Sequence, residues 1–396
     1  MVEAPSRLLV ANVIAQIAFG LLAMTICLPS MQEWGALFGA PQASVQLTFS
    51  GYVIAYGAMQ LVYGPLSDRY GRKRLMMVGL IVGGLASLVA ATASSLPALV
   101  AARVLQGAGG AASLVVGRAA IQDLFAGPQR LKVMAYLGMA MGLCPPAATV
   151  IGGQIHERVG WQGNFVAMAV VALVLFVAAW RGLPIRPPRE PAATHWFREM
   201  LAGYALLARQ REFPLYVVVL AASVAAFYSF LAGAPIVLRS YGVGPAGVGW
   251  YVMVVPLAFV LGNFVNSRLI VRVGQRRVMM AGQVLTLIGI AMVIVLGAFG
   301  PRSPLVLSLP LLLMGFGHGF FMPICLAGTV GLIPAVAGTA AAVAGLAQQF
   351  SGALGGYLVG LVSHDGPVNL ATVMLGFTVI ATIAQARLRV RDRVPR

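Results

Sequence analysis

One cation lies inside an otherwise apolar stretch. Arg103 opens the run Arg103-Val104-Leu105-Gln106-Gly107-Ala108-Gly109-Gly110, about five residues into an apolar segment at 97–119. At a rise of 1.5 Å per residue it stands about 9 Å from the middle of that segment. A guanidinium at such depth costs about 3 kcal/mol on insertion scales, so it marks a site by default; snorkelling to the nearer interface is the bland alternative. His318, in Gly315-Phe316-Gly317-His318-Gly319-Phe320-Phe321, lies within about one turn of the middle of another apolar segment. An imidazole there suits proton exchange near neutral pH, and a neutral packing histidine fits equally well. Tyr52 and Tyr56 are spaced i, i+4 and share one face. With Gln106, Tyr228, Gln348 and Gln349 they offer a few polar groups in apolar surroundings, which suits a small organic ligand. Asn12, Gln16, Trp250 and Asn263 belong to the same class. Helix packing explains any one of these at least as well, and the glycines at 107–110 read first as a close helix contact.

Several other chemistries are excluded. All ten acidic residues fall at segment ends or in loops: Glu3, Glu33, Asp68, Asp123, Glu157, Glu190, Glu199, Glu212, Asp365 and Asp392. A central cavity would therefore lack a carboxylate. With only Arg103 for charge, it would be neutral or positive and favour neutral or anionic organic solutes. His156, His195, His318 and His364 are scattered without metal-ligand spacing. Cys27, Cys144 and Cys325 sit in apolar segments and imply no disulfide framework. There is no convergent set of nucleophile, base or metal ligands and no phosphate-binding Gly-Lys-Ser/Thr loop. The chain does not read as an enzyme or an ATP-driven pump, and no cofactor or metal is expected.

The elements that must position these residues are membrane spans. The 396-residue chain is 60% hydrophobic and 9% charged, against roughly 25% charged for a soluble chain. Apolar runs occur at 8–29, 44–64, 75–93, 97–119, 133–155, 163–181, 214–237, 246–267, 278–299, 304–325, 336–361 and 369–386. Most reach the roughly 20 residues that cross about 30 Å of hydrocarbon. The first is too long for a signal-peptide core and no small-residue cleavage site follows it, so it reads as retained. The net charge of +17 does not point to nucleic acid, because the basic residues fall in short clusters between apolar runs. Of 27 Arg and Lys, 23 fall in the terminal and alternate connecting segments that share one side, which places both termini in the cytoplasm. The expected fold is an all-α membrane protein with twelve transmembrane helices in two pseudo-symmetric six-helix halves. The halves span 1–181 and 214–396, joined by a cytoplasmic linker at 182–213. The linker is rich in Pro and Arg, and Arg198, Glu199, Arg209, Arg211 and Glu212 could lie on a short surface helix, although a solvated linker is the simpler reading.

An internal repeat supports the division. An offset of 203 maps Arg69, Gly71, Arg74, Met76, Met77 and Gly79 onto Arg272, Gly274, Arg277, Met279, Met280 and Gly282. The same offset maps Gly142, Leu143, Gly152 and Gly153 onto Gly345, Leu346, Gly355 and Gly356. Repeated halves of this kind place a binding site near the midplane and alternate its access by rocking.

The loop Gly64-Pro65-Leu66-Ser67-Asp68-Arg69-Tyr70-Gly71-Arg72-Lys73-Arg74 resembles the signature loop of the major facilitator superfamily. The resemblance implies a conformational latch at Gly64, Asp68, Arg69, Gly71 and Arg72. Asp68 would accept from a helix N-terminus of the other half, with Arg118 as a candidate ion-pair partner; loop anchoring and topology are the simpler role for the same charges. The run beginning at Arg103 is similar to the family's span 4 motif, whose arginine serves proton or substrate coupling. Leu28-Pro29, Gln46-Leu47-Thr48, Gly160-Trp161-Gln162 and the stretch from 230–235 to Tyr241-Gly242-Val243 resemble the bicyclomycin-resistance (Bcr/CflA-like) branch of drug:proton antiporters. Two positions depart from the pattern. Thr25 stands where many such antiporters carry an aspartate, four residues before Pro29. Span 5 reads Ala148-Thr149-Val150-Ile151-Gly152-Gly153, without the motif's proline, though Pro145 and Pro146 could still kink the helix. The resemblance implies a secondary active transporter of the inner membrane, a monomer in lipid, exporting small organic molecules against protons by alternating access. The departures keep open an organic-anion or siderophore carrier, including an importer.

Overall fold

The computed structural model describes residues 7–184, 205–207, 209–333 and 336–388. Among them the helices are α1 (Arg7–Thr25), α2 (Met31–Leu37), α3 (Gln42–Tyr70), α4 (Arg72–Ala91), α5 (Leu96–Leu124), α6 (Gly127–Val159) and α7 (Gln162–Gly182). They continue with α8 (Glu212–Ser240), α9 (Pro245–Val252), α10 (Val254–Val273), α11 (Gln275–Phe299), α12 (Leu305–Gly331), α13 (Ala337–Val359) and α14 (Pro367–Arg387). No strand occurs among the described residues. Each of the twelve expected runs coincides with helix, two of them as broken pairs, α1 with α2 and α9 with α10. Ten of the twelve are long and apolar enough to cross a membrane. The other two, α3 and α13, are diluted by Gln42, Gln46, Thr48 and Ser50 and by Gln348, Gln349 and Ser351.

The chain divides into two compact units. The first comprises Met1–Ala40 and Leu47–Thr194; the second comprises Pro41–Gln46 and His195–Arg396. The expected linker at 182–213 falls mostly outside the described residues, including most of the surface helix drawn through Arg198 and Glu199.

Within the first unit the first span is broken. Pro29 cannot donate a backbone hydrogen bond, and the chain passes from α1 through a single 3-10 turn, Leu28–Ser30, into α2. Leu22 still accepts from the Ile26 N–H at 2.9 Å, but beyond it α1 ends, and the regular partners of its last carbonyls run out. Helix α6 runs unbroken through Pro145 and Pro146.

The repeat seen in the sequence is a repeat of contacts. Gly71 and Gly274 adopt φ of +93° and +90° and begin α4 and α11. Only glycine takes that conformation without strain. A Cβ on Gly79 would lie 2.8 Å from the carbonyl oxygen of Gly109, so α4 and α5 pack backbone to backbone. In the second unit a Cβ on Gly282 would lie 2.6 Å from the carbonyl oxygen of Gly317, and α11 packs on α12 in the same way. Gly107 abuts the carbonyl of Tyr52, and Gly315 abuts that of Val255. The offset is 203 for the first partner of each pair where it lies before α5, and 208 from α5 to α12.

Candidate functional site

Arg103 is fully buried. Its Nη1 donates to the carbonyl of Ala23 at 2.7 Å, its Nη2 to that of Met24 at 3.2 Å, and its Nε to that of Thr48 at 3.3 Å. Nη1 also donates to Gln106 Oε1. Tyr52 covers one face of the guanidinium, 4.3 Å from ring centroid to Cζ, and Phe165 lies 6.0 Å away. Four of the five N–H groups are thus engaged. The negative counterpart is the C-terminal end of α1, where carbonyl dipoles concentrate partial negative charge. Thr25, next to these carbonyls, is buried with its hydroxyl donating to the carbonyl of Leu21 at 3.0 Å. Of the two readings of Arg103, the snorkelling alternative is not what the fold adopts: the guanidinium is buried among these carbonyls.

The network extends inward. Gln106 Nε2 donates to Ser87 Oγ at 2.7 Å, and Ser87 Oγ to the carbonyl of Gly83 at 2.7 Å. Tyr52 Oη donates to the carbonyl of Gly20 at 2.6 Å, and its ring stacks on Tyr56 with centroids 5.9 Å apart. Both tyrosines are buried. Arg103, Gln106, Tyr52 and Tyr56 therefore form one cluster. Asn12 and Gln16 act elsewhere, as staples from α1 to the carbonyls of Ala178 and Leu175 on α7.

The signature loop forms a second cluster. Arg72 pairs with Asp68, and its Nε donates to Asp123 Oδ2 at 3.0 Å. It also donates to Ser67 Oγ, which donates to the carbonyl of Gly64 at 2.9 Å. Asp68 is therefore paired with Arg72 rather than with Arg118, which donates to Met141 Sδ at 3.4 Å. Arg69 lies over the ring of Tyr70, 5.6 Å from its centroid. A Cβ on Gly64 would meet nothing within 4 Å, so no close approach requires glycine there. Sequence reading missed Asp123, 51 positions from Arg72, and Lys73, whose Nζ donates to the carbonyls of Trp180 and Leu183 at the end of α7. The only sequence signal for Asp123 was its place at the same end of the spans as Asp68.

In span 5, Gly152 and Gly153 are buried, and a Cβ on Gly152 would lie 1.8 Å from the carbonyl oxygen of Ile26. Thr149 donates to the carbonyl of Pro145 at 2.9 Å. Gly355 repeats the contact in the second unit, 2.4 Å from the carbonyl oxygen of Ala225.

The second unit gathers its candidates less closely. Tyr228 Oη donates to Gln349 Oε1 at 3.2 Å, while Gln348 donates to Ala344 of its own helix at 3.1 Å. His318 is buried and meets Phe321 edge-on at 5.3 Å. The small neighbours expected to leave its ring open do the opposite. Gly315, Gly317 and Gly319 let α12 close onto Val255, Gly282 and Asn263. A cavity of about 680 Å³ lies instead beside Glu212, Tyr216, Asn263, Asn266 and Gln275. Of these, only Asn263 was foreseen as a site residue.

The family model described as Major Facilitator Superfamily matches residues 8–242 and 216–396. A chloramphenicol resistance protein of Pseudomonas aeruginosa is 28% identical over 392 residues, covering 96% of this chain and 92% of the relative. A bicyclomycin resistance protein homolog of Haemophilus influenzae is 28% identical over 376 residues, covering 92% of each. The solved structure of a D-xylose-proton symporter shares the fold at a TM-score of 0.75, with 14% identity and coverage of 98% of this chain and 99% of that one.

Proposed function

The chain belongs to the major facilitator superfamily, and we propose that it exports small drug-like organic molecules across the inner membrane in exchange for protons, by alternating access. The observation that carries this reading is the end-to-end similarity to resistance proteins, which spans 96% of the chain in the first case. The family makes it a transporter and not an enzyme. The placement of 23 of 27 basic residues supports cytoplasmic termini. Arg103 supports the reading in a specific way. It ties α5 to the broken end of α1 with a cation that has no carboxylate to neutralise. The alternative of an organic-anion or siderophore carrier loses Arg103 as its anion anchor.

Purified protein in vesicles with an imposed pH gradient tests the proposal. The panel should include chloramphenicol, bicyclomycin, a lipophilic cation and a ferric siderophore. Uphill movement of a neutral drug, driven by the gradient and abolished by a protonophore, is expected. Gradient-independent flux, or movement of the siderophore alone, would overturn it.

A further inference from the structure

A titratable cluster that none of the above uses lies in the first unit, at the end opposite Asp68. Ser30 and Glu33 sit on the break between α1 and α2, and His156 sits in the last turn of α6. His156 is 8% exposed. Its Nδ1 shares a hydrogen bond with Ser30 Oγ at 2.8 Å, and its Nε2 shares one with Glu33 Oε2 at 3.1 Å. Asn164, on α7 and fully buried, donates from Nδ2 to Ser30 Oγ at 3.1 Å. Its Oδ1 is buried with no hydrogen-bond partner among the described residues.

We propose that His156, with Glu33, Ser30 and Asn164, is a proton-binding site, and that it loads the coupling proton from the outer face. The second clause rests on the exporter reading and its topology. With the ring neutral, Nε2–H donates to Glu33 and Nδ1 accepts from the Ser30 hydroxyl. Adding a proton makes Nδ1–H a donor to Ser30 Oγ, so the hydroxyl hydrogen needs a new acceptor. The unpartnered Asn164 Oδ1 is that acceptor, reached by turning its amide over. Both ring nitrogens and the Ser30 hydroxyl then have a partner in either state, as a reversible proton site requires. Glu33 Oε2, 3.1 Å from Nε2, is the carboxylate of the cluster.

The surroundings add little competing charge. On α6 the neighbours in sequence are Glu157 and Arg158. The 3-10 turn and the adjoining end of α1 contribute only the thiol of Cys27. The charged residues of α1 and α7, Arg7 and Arg181, lie at the far ends of those helices, as do Arg118 and Asp123 on α5. Arg103 stands behind Phe165 and is held on the carbonyls of Ala23 and Met24. Those carbonyls belong to the same helix break as Ser30. A proton on His156 therefore acts directly on the segment that Arg103 grips.

The proton itself is the probe. Full-length protein with isotope-labelled histidine rings is titrated in detergent, and the His156 signal is assigned by its loss in His156→Gln. The expected result is a resonance that titrates and whose proton affinity falls about tenfold in Glu33→Gln. A His156 ring that keeps one protonation state wherever the protein is folded overturns the site, as does a titration indifferent to Glu33→Gln. Where His156→Gln fails to fold, the signal is assigned by elimination with His195→Gln, His318→Gln and His364→Gln, and Glu33→Gln, at a half-exposed residue, still decides the matter. In vesicles, His156→Gln is then expected to bind the transported drug normally while losing gradient-driven movement at least tenfold. Unchanged gradient-driven movement overturns the coupling role. A wild type that shows no gradient-driven transport overturns the exporter reading and with it the coupling role, while the ring titration still decides the site.

Discussion

The guanidinium of Arg103 and the carbonyl oxygen of Ala23 meet at 2.7 Å across 80 positions of the chain, in a region closed to solvent. The pairing is between a full charge and a helix end. Lysine carries the charge without the planar fork, and cannot serve Ala23, Met24, Thr48 and Gln106 together. Arg103→Lys should cost about 1–3 kcal/mol of stability and reduce transport at least tenfold. Thermal unfolding in detergent beside vesicle flux measures both. A lysine variant with wild-type stability would remove the clamp from the account.

Glycine contacts give a graded prediction. Gly152→Ala forces its new methyl against the Ile26 carbonyl, and Gly355→Ala does the same at Ala225. Each should lose about 1–3 kcal/mol through overpacking. Gly64→Ala meets nothing within 4 Å and should be neutral in stability. Equal unfolding midpoints for all three would contradict the packing described.

Asp68 and Asp123 both face Arg72, but differ in exposure: 47% and 16% for the side chains. An exposed pair contributes less than about 1 kcal/mol. Asp123→Asn should therefore destabilise more than Asp68→Asn, while Asp68→Asn acts mainly on transport rate. The reverse order of stabilities, measured by unfolding, would assign the structural role to Asp68.

His364 lies in the loop between α13 and α14, half-buried. Burial pushes its imidazole below the ordinary range, and Asp365 works against that shift. Its Nε2 has no partner among the described residues. The folded loop takes up a proton less readily than the unfolded chain does. The stability this contributes is complete above the ordinary histidine value of about 6.5, and is lost as pH falls below it. His364→Asn should flatten the decline in unfolding temperature between pH 7.5 and pH 5. A variant with the wild-type slope would place the acid sensitivity elsewhere.

The spans were legible because hydropathy is a local property, and ten of the twelve also pass as membrane helices on length and composition. The repeat was legible because Gly71 and Gly274 perform one backbone task at one offset. Arg103 was visible as a buried cation, but its partners were not. Ala23 and Met24 receive it through main-chain oxygens at the end of α1, and side-chain identity at those positions carries no trace of the role. The surroundings of His318 were hidden for a related reason. Glycines beside a ring read as open space, whereas in the fold they admit neighbouring backbones and close the space. His156 was passed over because Ser30 is 126 positions away and Glu33 is 123.

The two glycine registers carry a last implication. The offset of 208 that relates Gly107 to Gly315 and Gly109 to Gly317 relates Arg103 to Leu311 and Gln106 to Met314. Leu311 and Met314 are fully buried, as Arg103 and Gln106 are. The duplicated halves thus kept the same main-chain scaffold and parted in what they enclose. One copy encloses an ion, and the other encloses two apolar side chains in its place. Grafting leucine and methionine into the first copy would test how far that ancestral symmetry can be restored before the protein ceases to work.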